Sequence, residues 1–372
     1  MIVIVGGGYA GAATAWALAR RGLGPRVVLL EAEQSVGLHA SGRNAGLICP
    51  LLEQDIPMLE MAMRGAGLLA SSLGMSTCGS IRLVRDEARA AELKIQASNL
   101  RVPVRVQRTM ELSREIPLLT GAISPWAVQV SNDGTVDPGT LVRRYLDEAS
   151  ETGARVITGA RVTAVSVRHG RVATVETTAG SFDVEWLVNA AGAWAGGLGE
   201  MAGLTGLGLI AYRRHLFHTT SLPDLPAGMP FVWDLEEDLY FRADAGRLML
   251  CCCDEEPHPA GAPEVSPAVA TLLAQKIGMT FPALAAFRVD QQRACLRTFA
   301  PDRRYVVGAD PRLKGFFWVA GLGGSGALAG PAIGELAADL MLEREPATCS
   351  AASARAFDPA RLFTPGAGAT AE

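Results

Sequence analysis

Residues 2–31 restrict the possible folds of this chain more than any other stretch. Ile2 to Val5 form a run of four β-branched residues, a strand pattern. Gly6, Gly8 and Gly11 follow in the G-x-G-x-x-G spacing. An Ala-rich stretch from Ala12 to Ala19 reads as a helix, stopped by Arg20, Arg21 and Gly22. A second apolar run, Val27 to Leu30, ends at Glu31. Strand, tight turn, helix, strand and acid make a dinucleotide-binding βαβ unit. Gly6 allows the tight turn, Gly8 leaves room for a pyrophosphate, and Gly11 lets the helix approach the sheet. The helix N-terminus offers free N–H groups and a positive dipole end to the phosphates. Glu31 is placed to accept hydrogen bonds from the hydroxyls of an adenosine ribose.

This motif does not separate NAD from FAD. Residues 37–46, Gly-Leu-His-Ala-Ser-Gly-Arg-Asn-Ala-Gly, are more specific. They resemble the signature of the D-amino acid oxidase family of flavoproteins, which includes glycine oxidase, sarcosine oxidase and D-amino acid dehydrogenases. The nearest resemblance is to the FAD-dependent D-arginine dehydrogenase type. It implies FAD as cofactor, with Ser41, Gly42, Arg43, Asn44, Ala45 and Gly46 running past the pyrophosphate towards the flavin. Two further stretches fit it. Leu187 to Trp194 is a strand ending in a small-residue turn, and the resemblance assigns Ala191, Gly192 and Trp194 to the cofactor, with Val162 earlier in the chain. Phe316 to Ala320 reads as a buried strand, followed by a Gly-rich turn containing Gly323, Gly324, Ser325 and Gly326 and a helix over about 327–343. The N-terminus of that helix is expected to face the pyrimidine end of the flavin.

The remaining chain sets the organisation. A chain of 372 residues suits two domains. An amphipathic helix is expected over 138–152, opened by Asp137-Pro138 and closed by Gly153, and a hairpin around Gly170. Four strand patterns between 207 and 253 come without intervening helices, which predicts a mostly antiparallel sheet. The expected fold is α/β: a discontinuous Rossmann-like FAD-binding domain (1–75, 137–206 and 293–343) and an α+β substrate domain (76–136 and 207–292). The Ala-, Pro- and Ser-rich segment 344–372 reads as a loosely attached tail.

A net charge of −4 gives no electrostatic case for a nucleic-acid partner. The charges near the N-terminus follow the apolar run, the wrong polarity for a secretory signal. The glycines and Pro331 within 315–334 argue against a membrane helix, so no transmembrane segment is expected. Seven cysteines without paired spacing predict reduced thiols and a cytoplasmic setting. Cys251 to Cys253 are expected within one strand, facing alternate sides and unable to share a metal. No metal site is expected.

The resemblance implies chemistry carried by few side chains. It places Arg297 as the anchor for a substrate carboxylate, a task suited to a planar guanidinium. Arg214 matches a second substrate arginine, with Arg213 facing the opposite side of its strand, and Tyr240 matches a tyrosine that covers the substrate. The glutamate that holds a guanidinium side chain in the D-arginine type has no counterpart in Cys78-Gly79-Ser80-Ile81-Arg82. An apolar or uncharged substrate side chain is therefore expected, or an acidic one if Arg82 points inward. Cys295 lies where a covalent flavin link occurs in monomeric sarcosine oxidase; a buried thiol is the simpler reading. His39 is read as a loop residue near the cofactor.

The implied activity is hydride removal from the Cα of a D-amino acid, glycine or N-alkyl glycine, giving an imine that hydrolyses to a 2-oxo acid. A 2-hydroxy acid dehydrogenase of the same fold and a flavin subunit of a larger complex are the alternatives. The electron acceptor, whether oxygen, quinone or an electron carrier, is left open.

Overall fold

The computed structural model describes residues 1–226 and 228–363. The opening βαβ unit forms as its sequence dictates. Strands Ile2–Val5 and Val27–Leu30 pair in parallel, with helix Tyr9–Leu18 between them. They lie inside a six-stranded sheet ordered Val306–Ala309, Phe316–Ala320, Trp186–Asn189, Ile2–Val5, Val27–Leu30, Arg155–Ile157. Every neighbouring pair is parallel except the edge strand Val306–Ala309, which runs antiparallel to Phe316–Ala320.

Alternation along the first strand decides what covers each face. Ile2 and Ile4 pack into a core shared with helices Tyr9–Leu18, Pro138–Glu151 and Gly326–Met341. Val3 points the other way, into a core with Leu187, Phe316 and Trp318. That second core is closed by the three-stranded antiparallel sheet Val162–Arg168, Arg171–Thr177 and Gly180–Asp183. All ten residues of helix Tyr9–Leu18 are buried. A helix buried all round is apolar all round, which is why its sequence shows no amphipathic stripe.

The segments expected to form the antiparallel sheet do so, within a sheet of nine strands. Its longest pairing runs between Ile210–Thr219 and Val289–Phe299. The pairing of Phe231–Asp234 with Ser80–Val84 is parallel. One face packs on helix Pro267–Thr280 through Phe217, Phe241, Leu250, Leu273 and Phe281. The other face looks back towards the six-stranded sheet and carries the polar residues treated below.

Residues 344–363 do not behave as a loose tail. Ser350 caps helix Ala351–Ala356 by accepting from the Ser353 amide at 3.2 Å, and Phe357 is fully buried. The Phe357 ring lies 5.4 Å from that of Tyr305, and its carbonyl accepts from the Val307 amide at 2.9 Å. The segment therefore extends the edge of the cofactor sheet. Composition concealed this because one buried aromatic anchors a run of small residues. The rest of the expected tail, 364–372, lies outside the described residues. Phe357→Ala is expected to cost about 3–5 kcal/mol, the usual toll of truncating a buried aromatic. A chemical denaturation midpoint unchanged by the substitution would show that the anchor is dispensable.

All seven cysteines are free. Among the described residues there is no cluster able to hold a metal ion, and no helix is long and apolar enough to cross a membrane.

Candidate active site

The C-terminal ends of the central parallel strands open into a cavity of about 340 Å³. Gly6 and Gly8, Glu31, then Ser41, Arg43 and Asn44 line it from the first unit and the loop after it. Val162, Ala191, Gly192 and Trp194 line it from the middle of the chain, and Gly323 and Gly326 from the end. Sheet topology alone brings these distant segments together, because their strands are neighbours.

The local geometry suits a dinucleotide. Gly6 has φ 112°, a left-handed value that turns the chain out of its strand. Glu31 holds the turn: its Oε2 accepts from the Gly7 amide at 2.7 Å and its Oε1 from the Glu33 amide at 2.9 Å. Each carboxylate oxygen retains a lone pair for a ribose hydroxyl. Ser41 Oγ accepts from the Tyr9 amide at 2.9 Å, tying the second loop to the first turn of the helix. Arg43 Nη1 donates to the Ala294 carbonyl at 3.1 Å, joining that loop to the large sheet.

Six residues expected at the cofactor do not line the cavity. Gly11 is a packing residue, since a β-carbon there would lie 1.9 Å from the Gly6 carbonyl oxygen. Gly42 lies as tightly against the Gly37 carbonyl, and Gly46 donates its amide to Asn44 Oδ1 at 2.7 Å. Ala45 packs with Tyr240, Met249 and Cys251. Gly324 sits against the Arg297 guanidinium. Ser325 Oγ donates to Glu53 Oε1 at 2.9 Å. Their roles are one layer removed, holding the loops that do line the space.

His39 lines the cavity, in keeping with its reading as a loop residue near the cofactor, while other lining residues carried no signal in the sequence. The His39 ring lies 4.7 Å from the Trp194 ring, and its Nε2 is 3.1 Å from Glu33 Oε1. Gly261 and Pro263 reach the cavity from the segment after the large sheet, where Pro and Gly signal only a loop.

The polar face of the large sheet closes the other end. Cross-strand register places Arg214 beside Cys295 and Arg297 beside Tyr212, so all four share one face. Tyr240 pairs with Cys251 on one side and Trp233 on the other. Cys295 lines the cavity from this face, and Leu296 and Thr298 line it from the alternate positions of the same strand, whereas Arg214, Tyr240 and Arg297 are not among its lining residues. The two neighbouring arginines diverge, as strand alternation requires. Arg213 turns to Glu256 and the Glu264 carbonyl. Arg214, 5% exposed, donates to Glu255 Oε1 at 3.1 Å, and Glu255 also takes Arg303 at 2.9 Å. Arg214 is thus already paired. Arg297 forms no ion pair among the described residues. The Tyr240 hydroxyl is buried with no hydrogen-bond partner, its ring 4.8 Å from Trp233, and burial pushes its phenol far above the ordinary value.

Arg82 does face inward, but its charge is spent. It is 1% exposed and donates to Asp133 Oδ2 at 2.8 Å, which also accepts from Ser80 Oγ at 2.6 Å. This removes the argument for an acidic substrate side chain.

The family model described as FAD dependent oxidoreductase matches residues 1–340. The chain belongs to the FAD-dependent oxidoreductase family. Its cofactor is FAD, and the cavity fits it: an acid at one end, a helix N-terminus in the middle, and an uncharged Gly-rich turn beneath the arginine face at the other. Mouse mitochondrial sarcosine dehydrogenase is 28% identical over 93% of this chain and 40% of its own length. The chain thus spans about two-fifths of the first such relatives it matches. L-proline dehydrogenase from P. horikoshii shares the fold with a TM-score of 0.85, at 21% identity and 97% coverage of both chains. Glycine oxidase from Bacillus cereus does so with a TM-score of 0.80, at 21% identity, over 93% of this chain and 96% of its own.

Proposed function

We propose that this flavoprotein oxidises the Cα–N bond of an amino acid, taking a D-amino acid, glycine or an N-alkyl glycine. One observation carries the reading: Arg297, with no ion pair among the described residues, and the Tyr240 hydroxyl, buried without a hydrogen-bond partner, share the sheet face from which Cys295 lines the cofactor cavity. A buried hydroxyl without a partner is costly, so Tyr240 is placed to be satisfied by a ligand, and the half-buried Arg297 on the same face is free to meet it. Arg297 presents a planar fork that matches a carboxylate, and Tyr240 donates a hydrogen bond to the same ligand.

FAD, when bound, supplies the hydride acceptor. The protein contributes position: the carboxylate held by Arg297 fixes Cα beneath this sheet face, and orientation of this kind supplies much of the rate. Trp233 and Tyr240 restrict water. The imine product then hydrolyses in water to a 2-oxo acid and ammonia or an amine. Arg214, tied to Glu255, sets the charge of the pocket wall, while the absence of a free acid on this face disfavours a basic side chain. The likeness to mouse mitochondrial sarcosine dehydrogenase supports the N-alkyl glycine arm.

Anaerobic titration tests the proposal. The flavin absorbance band is expected to bleach on adding sarcosine, glycine or a D-amino acid, and to persist with 2-hydroxy acids and L-amino acids. Bleaching by a 2-hydroxy acid alone would overturn it. Admitting air to the bleached protein shows whether oxygen is the acceptor.

A further inference from the structure

Three cysteines in a row, Cys251 to Cys253, close the strand Arg247–Cys251 and continue past its end, with Cys251 and Cys253 on one face. Cys253 has φ 52°, a left-handed value rare outside glycine. The turn folds its amide back onto Cys251 Sγ, to which it donates at 3.4 Å. Cys253 packs against the buried cluster that holds Cys251. Cys252 stands apart, in the core on the opposite face of the sheet.

The surroundings favour a negative charge on this pair. Arg214 and Arg297 both act on it, and Tyr240 is the cross-strand neighbour of Cys251. Burial alone would raise the Cys251 thiol. The contact with Cys253 and the two guanidinium charges outweigh it and bring the thiol below its ordinary value. The nearest acids do not compete, since Glu255 is held by Arg214 and Arg303, and Asp254 by His215. Cys251 is fully buried, whereas Cys253 is partly exposed.

We propose that Cys251 and Cys253 form a dithiol that hydrogen peroxide oxidises to a disulfide. The negative charge lies on Cys251, while the same contact holds the Cys253 thiol protonated; Cys253 is the partly exposed member past which peroxide reaches the pair. The Cys251 sulfur attacks a peroxide oxygen, the O–O bond breaks, hydroxide leaves, and a sulfenic acid forms. The Cys253 thiol then attacks the Cys251 sulfur, the S–O bond breaks, and water leaves with the thiol proton. The balance is one thiolate, one thiol and one peroxide giving one disulfide, one water and one hydroxide. The product is a neutral sulfur pair where an anion faced Arg214 and Arg297.

The test uses the FAD-bound chain, in the dark and without substrate, so it does not depend on which substrate is correct. After peroxide treatment, free thiols are alkylated and the tryptic peptide 248–276, which holds all three cysteines, is weighed. The expected product is lighter by two hydrogens and alkylated once, at Cys252. Cys252→Ala is expected to retain the bridge, while Cys251→Ser and Cys253→Ser each lose it, with the FAD absorbance of every variant checking its fold. Three alkylatable thiols, a sulfinic acid at either cysteine, or a bridge involving Cys252 would overturn the proposal. The wild-type peptide decides the matter even if a variant fails to fold.

Discussion

Arg297→Ala is expected to lower kcat/KM for the amino acid by about 100- to 10,000-fold, the equivalent of losing two charge-assisted hydrogen bonds worth roughly 1.5–3 kcal/mol each. Arg297 has no ion-pair partner among the described residues, so its removal leaves no orphaned acid. FAD content and melting temperature are therefore expected to hold. Arg297→Lys keeps the charge but loses the planar fork, and recovers only part of the loss. The split between parameters is informative. A loss mainly in KM reports carboxylate binding, and a loss shared with kcat reports an orientation needed in the transition state. Arg214→Ala is the contrast, because that buried side chain is paired with Glu255 and its loss disturbs the wall itself. Steady-state kinetics showing Arg297→Ala within a few-fold of the wild type would sink the carboxylate anchor.

The second large effect is expected at Gly11. A methyl group there would need to share space with the Gly6 carbonyl oxygen, 1.9 Å away. The obstacle is backbone, and it lies in the turn that the phosphates approach. Helix Tyr9–Leu18 cannot retreat, because Gly326–Met341 and Pro138–Glu151 share its core and all ten of its residues are buried. Alanine gains about 1 kcal/mol of helix propensity over glycine, but overpacking a fixed core costs about 1–3 kcal/mol and more where backbone must move. Gly11→Ala is thus expected to melt lower and to purify with little FAD. Stoichiometric FAD at an unchanged melting temperature would show that the helix and sheet have more freedom than this contact allows.

Much of this was legible in the sequence, for identifiable reasons. The first βαβ unit is local, with its strand run, glycines and acid within thirty residues, so pattern and structure coincide. Arg213 and Arg214 diverge because strand alternation is a covalent property of the chain. Long-range pairings left no such trace. Nothing in Ser80–Val84 announces a parallel partner at Phe231–Asp234, and nothing near Arg82 announces Asp133. Arg82 therefore read as a possible ligand until its partner was seen. The cofactor glycines divide in the same way. Their spacing marks a tight backbone path, but whether each touches the cavity or a neighbouring carbonyl depends on the fold. Cys251 to Cys253 face alternate sides as expected, although at Cys253 the backbone enters a left-handed turn that its residue type does not signal.

The order of strands in the cofactor sheet has a consequence for synthesis. Of the strands in this sheet Ile2–Val5 is made first, and it is destined for an interior position. Its neighbour Trp186–Asn189 is made roughly 180 residues later, an interval of about 10–40 s at ~5–20 residues per second. The helix Gly326–Met341, which covers Tyr9–Leu18, emerges later still. Throughout that interval an apolar strand and an apolar helix wait with open edges and faces, the condition that chaperones exist to shield. The phosphate turn cannot become rigid until this covering helix arrives, so FAD is captured only after it has been made.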